Sequence, residues 1–203
     1  MPDETRSYRM KGRAESQQQT RRRITESAVA LHGSLGPSRT SISAVAAHAG
    51  VRRSTVYRHF PDEAALFDAC TAHWAAANPP PDLGALSKIE APEERLLVAL
   101  TEIYGFYGRT ERMLENLFRD QATMPIVQER FAALRAYFAS ARDTLMLERK
   151  LRGPIRRRTR AAVGHAIAFS TWRSLVREQG LADADAAALM CGLVATAGRP
   201  LEE

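Results

Sequence analysis

Cysteine is almost missing: Cys70 and Cys191 are the two in a chain of 203 residues. Two thiols so far apart make neither a disulfide framework nor a paired-cysteine zinc site, and a reducing, cytoplasmic setting fits them. No uninterrupted apolar run is long enough to span a bilayer, so no membrane partner is expected. The N-terminus is polar and charged from Pro2 to Arg23 and carries no signal-peptide pattern. Alternating apolar runs and hairpin turns are lacking as well, which leaves no signal for β-structure. There is no glycine-rich phosphate loop and no nucleophile elbow. The five histidines (His32, His48, His59, His73 and His165) are scattered. No catalytic residue, metal or cofactor is therefore assigned, and an enzyme is the least favoured class.

What is present is arginine. Lys11, Lys88 and Lys150 are the only lysines among 29 basic residues, and the guanidinium fork of the remainder suits phosphate and guanine. Residues 1–67 hold 11 Lys+Arg against 6 Asp+Glu, a balance of +5; residues 68–203 hold 18 against 17, a balance of +1, and the two sum to the net +6. Positive charge concentrated at one end is what a nucleic-acid-binding segment requires. With 45% apolar and 26% charged residues, the rest reads as an ordinary soluble globular protein.

The chain is organised around residues 40–67. Ile42, Val45, Ala46 and Ala49 share one face of a short helix, and Thr40 or Ser41 can cap its start. Gly50 follows where a left-handed residue ends a helix, and Val51 can tuck inward. A second helix is expected over about Arg52–His59. Val56 and Phe60 point into the core, which leaves Arg52, Arg53, Ser54, Thr55, Tyr57 and Arg58 on the outside. A helix with that outer face suits the major groove. Pro61 ends it and opens the next helix.

The string Ile42-x-x-Val45-Ala46-x-x-Ala49-Gly50-Val51-x-x-Ser54-Thr55-Val56-Tyr57-x-His59-Phe60-x-x-x-x-x-Leu66 resembles the DNA-binding end of the tetracycline-repressor family. The likeness covers about residues 21–67; beyond them only length and helical organisation are similar. It implies an all-α protein: an N-terminal three-helix helix-turn-helix domain and a larger helical domain for effector binding and dimerisation. The outer face of the second helix offers Arg52, Arg53, Ser54, Thr55, Tyr57 and Arg58 as DNA contacts, and the resemblance implies that His59 joins them, with Thr40 beside them. Two positions depart from the family pattern. Arg52 stands where a small capping residue is usual, which forfeits about 0.5–2 kcal/mol of cap, and a DNA phosphate or guanine edge beside it would offset that loss. Glu63 stands where a backbone-contacting lysine is frequent, and an acid there repels phosphate.

Taken in order, residues 1–20 have no apolar period and are expected to be a disordered basic arm carrying Arg6, Arg9, Lys11 and Arg13. It reads equally as a groove-seeking arm or as a solvated tail. Ile24, Ala28 and Leu31 mark the first helix over 21–33, where Arg21, Arg22 and Arg23 would crowd the positive end of the dipole. A helix to about Ala77 follows the motif, and three consecutive prolines at 79–81 break the chain. Further helices are expected around Leu96–Tyr107, after a cap at Thr110, and from Pro125 to a stop at Gly153-Pro154. The last two are expected at about Ile155–Gln179 and Asp183–Ala197.

Those last two helices carry apolar or small residues on more than one face and need a second partner. A homodimer through a two-fold four-helix interface meets that need. The domain expected over 68–203 is rich in aromatics, and Tyr104, Tyr107, Phe118, His165, Phe169 and Trp172 are the candidate lining of an effector pocket. Arg149–Arg160 forms a second basic run, read as a solvated surface. The function expected is a transcriptional regulator, a repressor released from a near-palindromic double-stranded DNA operator by a small-molecule effector. The alternative is a helical effector-binding dimer that acts through a protein partner with little or no DNA binding.

Overall fold

The computed structural model describes residues 3–199, with side chains from Lys11 onward. The described residues are helical: α1 (Asp3–Ser34), α2 (Ile42–His48), α3 (Arg53–His59), α4 (Glu63–Ala77), α5 (Leu83–Ser87), α6 (Pro92–Asp120), α7 (Pro125–Leu145), α8 (Gly153–Ala166), α9 (Phe169–Arg173) and α10 (Asp183–Ala197). A 3-10 turn, Pro37–Arg39, joins α1 to α2, and a π-helical turn, Ser174–Glu178, continues α9. No helix among them is long and apolar enough to cross a membrane.

The residues group into two compact units. One takes the chain up to Pro79 together with Arg112–Arg130; the other takes Pro80–Glu111 together with the chain from Phe131.

In the first unit, Ile24, Ala28, Ile42, Val45, Ala46, Ala49, Val56, Phe60, Leu66 and Cys70 form one apolar cluster. Each such side chain removed from water contributes about 1.5–3 kcal/mol if it is a full Val, Leu, Ile or Phe. The cluster therefore holds α1 to α4 together. The helix α1 begins at Asp3 and not near residue 21. Residues 3–34 hold no proline and two glycines, Gly12 and Gly33 (the latter in the last turn), and they are rich in Arg, Glu, Gln and Ala. Good helix formers extend an already nucleated helix without a buried stripe, and residues 11–19 are exposed. Side chains of Arg6 and Arg9 lie outside the described residues.

In the second unit, Leu96, Leu100, Ile103 and Tyr107 of α6 are buried, as are Leu145 of α7, Val163 and Ala166 of α8, and Met190 and Val194 of α10. Three boundaries differ from those expected. The helix α6 runs unbroken through Thr110, whose hydroxyl donates to the Phe106 carbonyl at 2.6 Å and caps nothing. The helix α7 already ends at Leu145, and Gly153-Pro154 starts α8 rather than stopping α7, with proline in a first turn where its missing N–H costs nothing. The long helix expected from Ile155 is interrupted between Ala166 and Phe169, where Ala168 is extended. The hydroxyls of Tyr104 and Tyr107 donate to the carbonyls of Ala166 and Ile167, at 2.8 and 2.6 Å, so the break leaves neither oxygen unpaired.

Candidate nucleic-acid interface

The helix α2 is started by Ser41, whose hydroxyl accepts from the Ala44 amide at 3.1 Å. Thr40, the alternative cap, instead donates to the Gly36 carbonyl at 2.8 Å and is half-buried. The helix ends in the pattern its glycine predicts. Gly50 has φ +62°, its amide donates to Ala47 O at 3.1 Å, and the Val51 amide reaches back to Ala46 O at 2.9 Å. These two bonds satisfy carbonyls that the end of a helix leaves open, and Val51 packs against the apolar cluster.

Arg52 is the N-cap residue of α3, extended and with no capping side-chain bond. The forfeited cap expected from the sequence is therefore what is found. Val56 is 0% and Phe60 1% exposed, and they anchor the inner face of α3. Arg52, Arg53, Ser54, Tyr57 and Arg58 are exposed; Thr55 and His59 are half-buried. Arg53 and Tyr57, one turn apart, are arranged together. The guanidinium carbon sits 5.5 Å from the phenol centroid, and Nη2 donates to the Tyr57 hydroxyl at 3.2 Å. Tyr57 and Glu63 both favour the charged form of Arg53. His59 is held below its ordinary pKa, first by partial burial and then by the neighbouring Arg58 and Arg21. Near neutral pH it is an uncharged N–H donor, unless a phosphate beside it raises its proton affinity.

The three arginines of α1 divide their roles. They stand mid-helix, so the expected clash with the dipole does not arise. Arg21 donates to the His59 carbonyl and covers the Phe60 ring, and Arg22 pairs with Glu26 at 2.7 Å. Arg23 is exposed. At the far side of the motif, Asp62 caps α4 by accepting from the Ala65 amide at 2.7 Å, and Glu63 follows in the first helical turn, where an acid suits the dipole. Local helix chemistry accounts for an acid at 63 without any role on DNA.

Residues 24–70 match the family model described as bacterial regulatory proteins, tetR family. This helix-turn-helix head belongs to the tetR family. The chain as a whole is similar in fold to a tetR-family transcriptional regulator from Streptomyces coelicolor, at 17% identity and TM-score 0.61, covering 89% of this chain and 80% of that one. It is likewise similar to AibR, solved with isovaleryl coenzyme A and operator DNA, at 18% identity and TM-score 0.60 over 86% of this chain and 97% of that one. FadR from Bacillus subtilis, solved with stearoyl-CoA, aligns at 16% identity and TM-score 0.58 over 88% and 98%. At such identities the likeness is one of fold. Among curated proteins, none matches the sequence significantly.

The six aromatic and histidine candidates for an effector pocket are divided between the two units. Phe118 lies in the same unit as the tetR-family head and is half-buried. The other five lie in the second unit. Tyr107 packs edge-on to Phe169 at 5.2 Å and tilted to Trp172 at 5.8 Å, while Tyr104 stacks near Tyr107 at 6.4 Å. Trp172 is fully buried and its indole N–H donates to Asp183 at 2.9 Å. His165 is exposed, with its ring 3.3 Å from the Thr171 hydroxyl. Tyr104, Tyr107, Phe169 and Trp172 thus form a packed cluster with satisfied polar ends. A cleft of about 230 Å³ opens elsewhere in this unit, among Glu93, Arg149, Leu151, Val194 and Arg199. Part of the second basic run is occupied in that region. Arg149 pairs with Glu93 at 3.0 Å, and Arg158 donates to the Arg199 carbonyl at 2.6 Å.

The sequence reading passed over Arg21 as a partner of α3. It also passed over three residues near the end of α6, Asn116, Arg119 and Asp120, which bond to the corner between α1 and α2. Asn116 was discoverable: an amide side chain inside a helix, next to Met113, Leu114 and Leu117, is a poor helix former unless it has work for its hydrogen bonds.

Proposed function

We propose that the chain is a homodimeric transcriptional regulator, acting as a repressor, that reads a near-palindromic operator with residues 21–67 of each subunit. The observation that carries this reading is α3, a short helix with its apolar side sunk in the cluster and Arg52, Arg53, Tyr57 and Arg58 held outward. The arginines contact bases or phosphates, while Ser54, Thr55, Tyr57, His59 and Thr40 hold the register on the backbone. Two such helices related by a two-fold axis meet half-sites roughly 34–36 Å apart, or a multiple of that spacing.

Dimerisation uses α8 and α10. These pack on each other in the second unit, and α10 leaves Leu189 45% and Leu193 51% exposed. An effector bound in the second unit weakens operator binding to the extent that it prefers the non-binding shape. The similar AibR was solved with isovaleryl coenzyme A as well as operator DNA, so an acyl-CoA is the first class to try.

An electrophoretic shift on the gene's upstream region, at two salt concentrations, tests the reading. Specific retention that falls steeply with salt is the expected result. Failure to retain any duplex at low salt would favour a dimer that works through a protein partner.

A further inference from the structure

The corner between α1 and α2 is gripped by polar side chains, all within the first unit. Asn116 Nδ2 donates to the carbonyls of His32 at 3.0 Å and Gly33 at 2.9 Å in the last turn of α1, where the His32 oxygen also accepts from the Gly36 amide at 3.0 Å. Arg119 is the hub. Its Nη1 donates to Asn116 Oδ1 and its Nε to Asp120 Oδ1, both at 2.8 Å, and its Nη2 reaches the Leu35 carbonyl at 3.1 Å. Asp120 Oδ2 accepts from the Ser38 amide at 2.9 Å. Asn116 is 8% and Asp120 2% exposed, so water cannot substitute for these partners. Gly36 lies against the group at φ +94°, where a Cβ would run into Arg119 Nη2 and come 2.7 Å from Asp120 Oδ2.

Apolar burial is non-directional and leaves a helix pair free to rock by small angles; hydrogen bonds with fixed geometry do not. This grip lands on residues 32–38. From Gly36 the chain is a knot, with Arg39 N on Gly36 O, Thr40 N on Pro37 O and the Thr40 hydroxyl on Gly36 O. Ser41, the cap of α2, comes next. We propose that Asn116, Arg119 and Asp120 are positioning residues for operator recognition, fastening the corner that leads into α2 and so setting the attitude of α3 toward DNA. The inference rests on the DNA-binding reading above.

The test uses the full-length chain and a duplex selected from a random-sequence library with the wild-type protein, beside an unselected duplex. Asn116→Ala changes no charge, and Arg119→Lys keeps a cation beside the buried Asp120 while giving up the guanidinium fork that reaches Asn116 and Leu35. Each variant should keep wild-type circular dichroism and lose on the order of tenfold in affinity for the selected duplex. Binding of Asn116→Ala to the unselected duplex, and its salt slope, should stay as in wild type, because the phosphate-facing charges are unchanged. Gly36→Ala, which displaces the same group from the other side, should reproduce the selective loss. Equal loss on both duplexes, or no loss on either, overturns the positioning role. Should the wild type itself select no sequence, the DNA-binding reading fails instead, and the control shows which of the two has fallen.

Discussion

The guanidinium of Arg21 lies 4.1 Å over the centre of the Phe60 ring while its Nη1 donates to the carbonyl of His59. One residue of α1 thus closes the end of α3, with a positive charge at the negative end of the dipole. An exposed cation–π contact contributes about 0.5–1 kcal/mol and a single hydrogen bond about 1 kcal/mol. Arg21→Ala should therefore lower unfolding free energy by about 1–2 kcal/mol in urea melts, with Arg21→Lys in between. Were Arg21 a phosphate contact instead, the melts would be unchanged and the salt dependence of DNA binding would drop by about one ion.

Arg53 is the converse case, exposed, with its guanidinium bonded within its own turn to Tyr57. Arg53→Ala should leave the melting temperature where it is and weaken operator binding by about 1–3 kcal/mol. Tyr57→Phe keeps the ring under the guanidinium and removes the hydroxyl, so it should cost less affinity than Arg53→Ala. A large loss of stability in the Arg53 variant would make the residue structural and remove it from the interface.

Gly50 separates backbone strain from crowding. Its φ is +62°, yet a Cβ there would meet nothing within 4 Å. The cost of Gly50→Ala is then the left-handed conformation alone, about 1–2 kcal/mol, and Asn, which tolerates that region, should cost less. Gly50→Val adds a β-branched side chain and should damage both folding and DNA binding. Equal stability of the Val variant and wild type would contradict the two bonds from Gly50 and Val51 back to Ala47 and Ala46.

The head was legible because each of its elements carries its own signal. Ile42, Val45, Ala46, Val56 and Phe60 mark two helical faces, Gly50 marks the turn, and Pro61 the stop. Their burial in a single cluster follows from spacing alone. What escaped depends on partners distant in sequence. Arg21 looks like one of three equivalent arginines until Phe60 is beneath it. The carbonyls of Ala166 and Ile167 are interchangeable with any others until Tyr104 and Tyr107 reach them. The extension of α1 to Asp3 was missed for another reason: helix propensity without an apolar stripe reads as disorder when periodicity is the only criterion.

His32 gives the first unit a pH dependence. Burial drives its pKa from 6.5 down to about 4, against the opposing pull of Asp120, and its ring rests 5.4 Å from that of Phe67. A group with a depressed folded-state pKa takes up protons more readily when unfolded. Its contribution to stability is therefore complete above about pH 6.5 and erodes as the pH falls toward about 4. The full span is on the order of 3 kcal/mol. Urea melts between about pH 7 and about pH 5 should show the wild type losing more stability than His32→Gln. Parallel losses in the two proteins would mean that His32 titrates normally in the folded state.

The dimer prediction turns on α10, whose two sides differ in kind. Ala186, Ala187, Met190 and Val194 are buried in the second unit, and the opposite side carries Asp185, Ala188, Leu189, Gly192, Leu193 and Thr196, all exposed. Leu189 and Leu193 are one turn apart, and a Cβ at Gly192 would meet no atom within 4 Å. That side offers apolar bulk beside a small-residue gap, the relief that lets one helix pack against a second copy of itself. Because both leucines already face solvent in a single chain, Leu189→Glu and Leu193→Glu should change the stability of an isolated subunit by no more than about 0.5 kcal/mol. In a dimer each places a charge in a shared apolar seam, twice over by symmetry, and should shift sedimentation toward the monomer. Operator binding should weaken with it, since one head on one half-site loses the effective concentration that its partner supplies. A double variant that still sediments as a dimer would move the interface away from this side of α10.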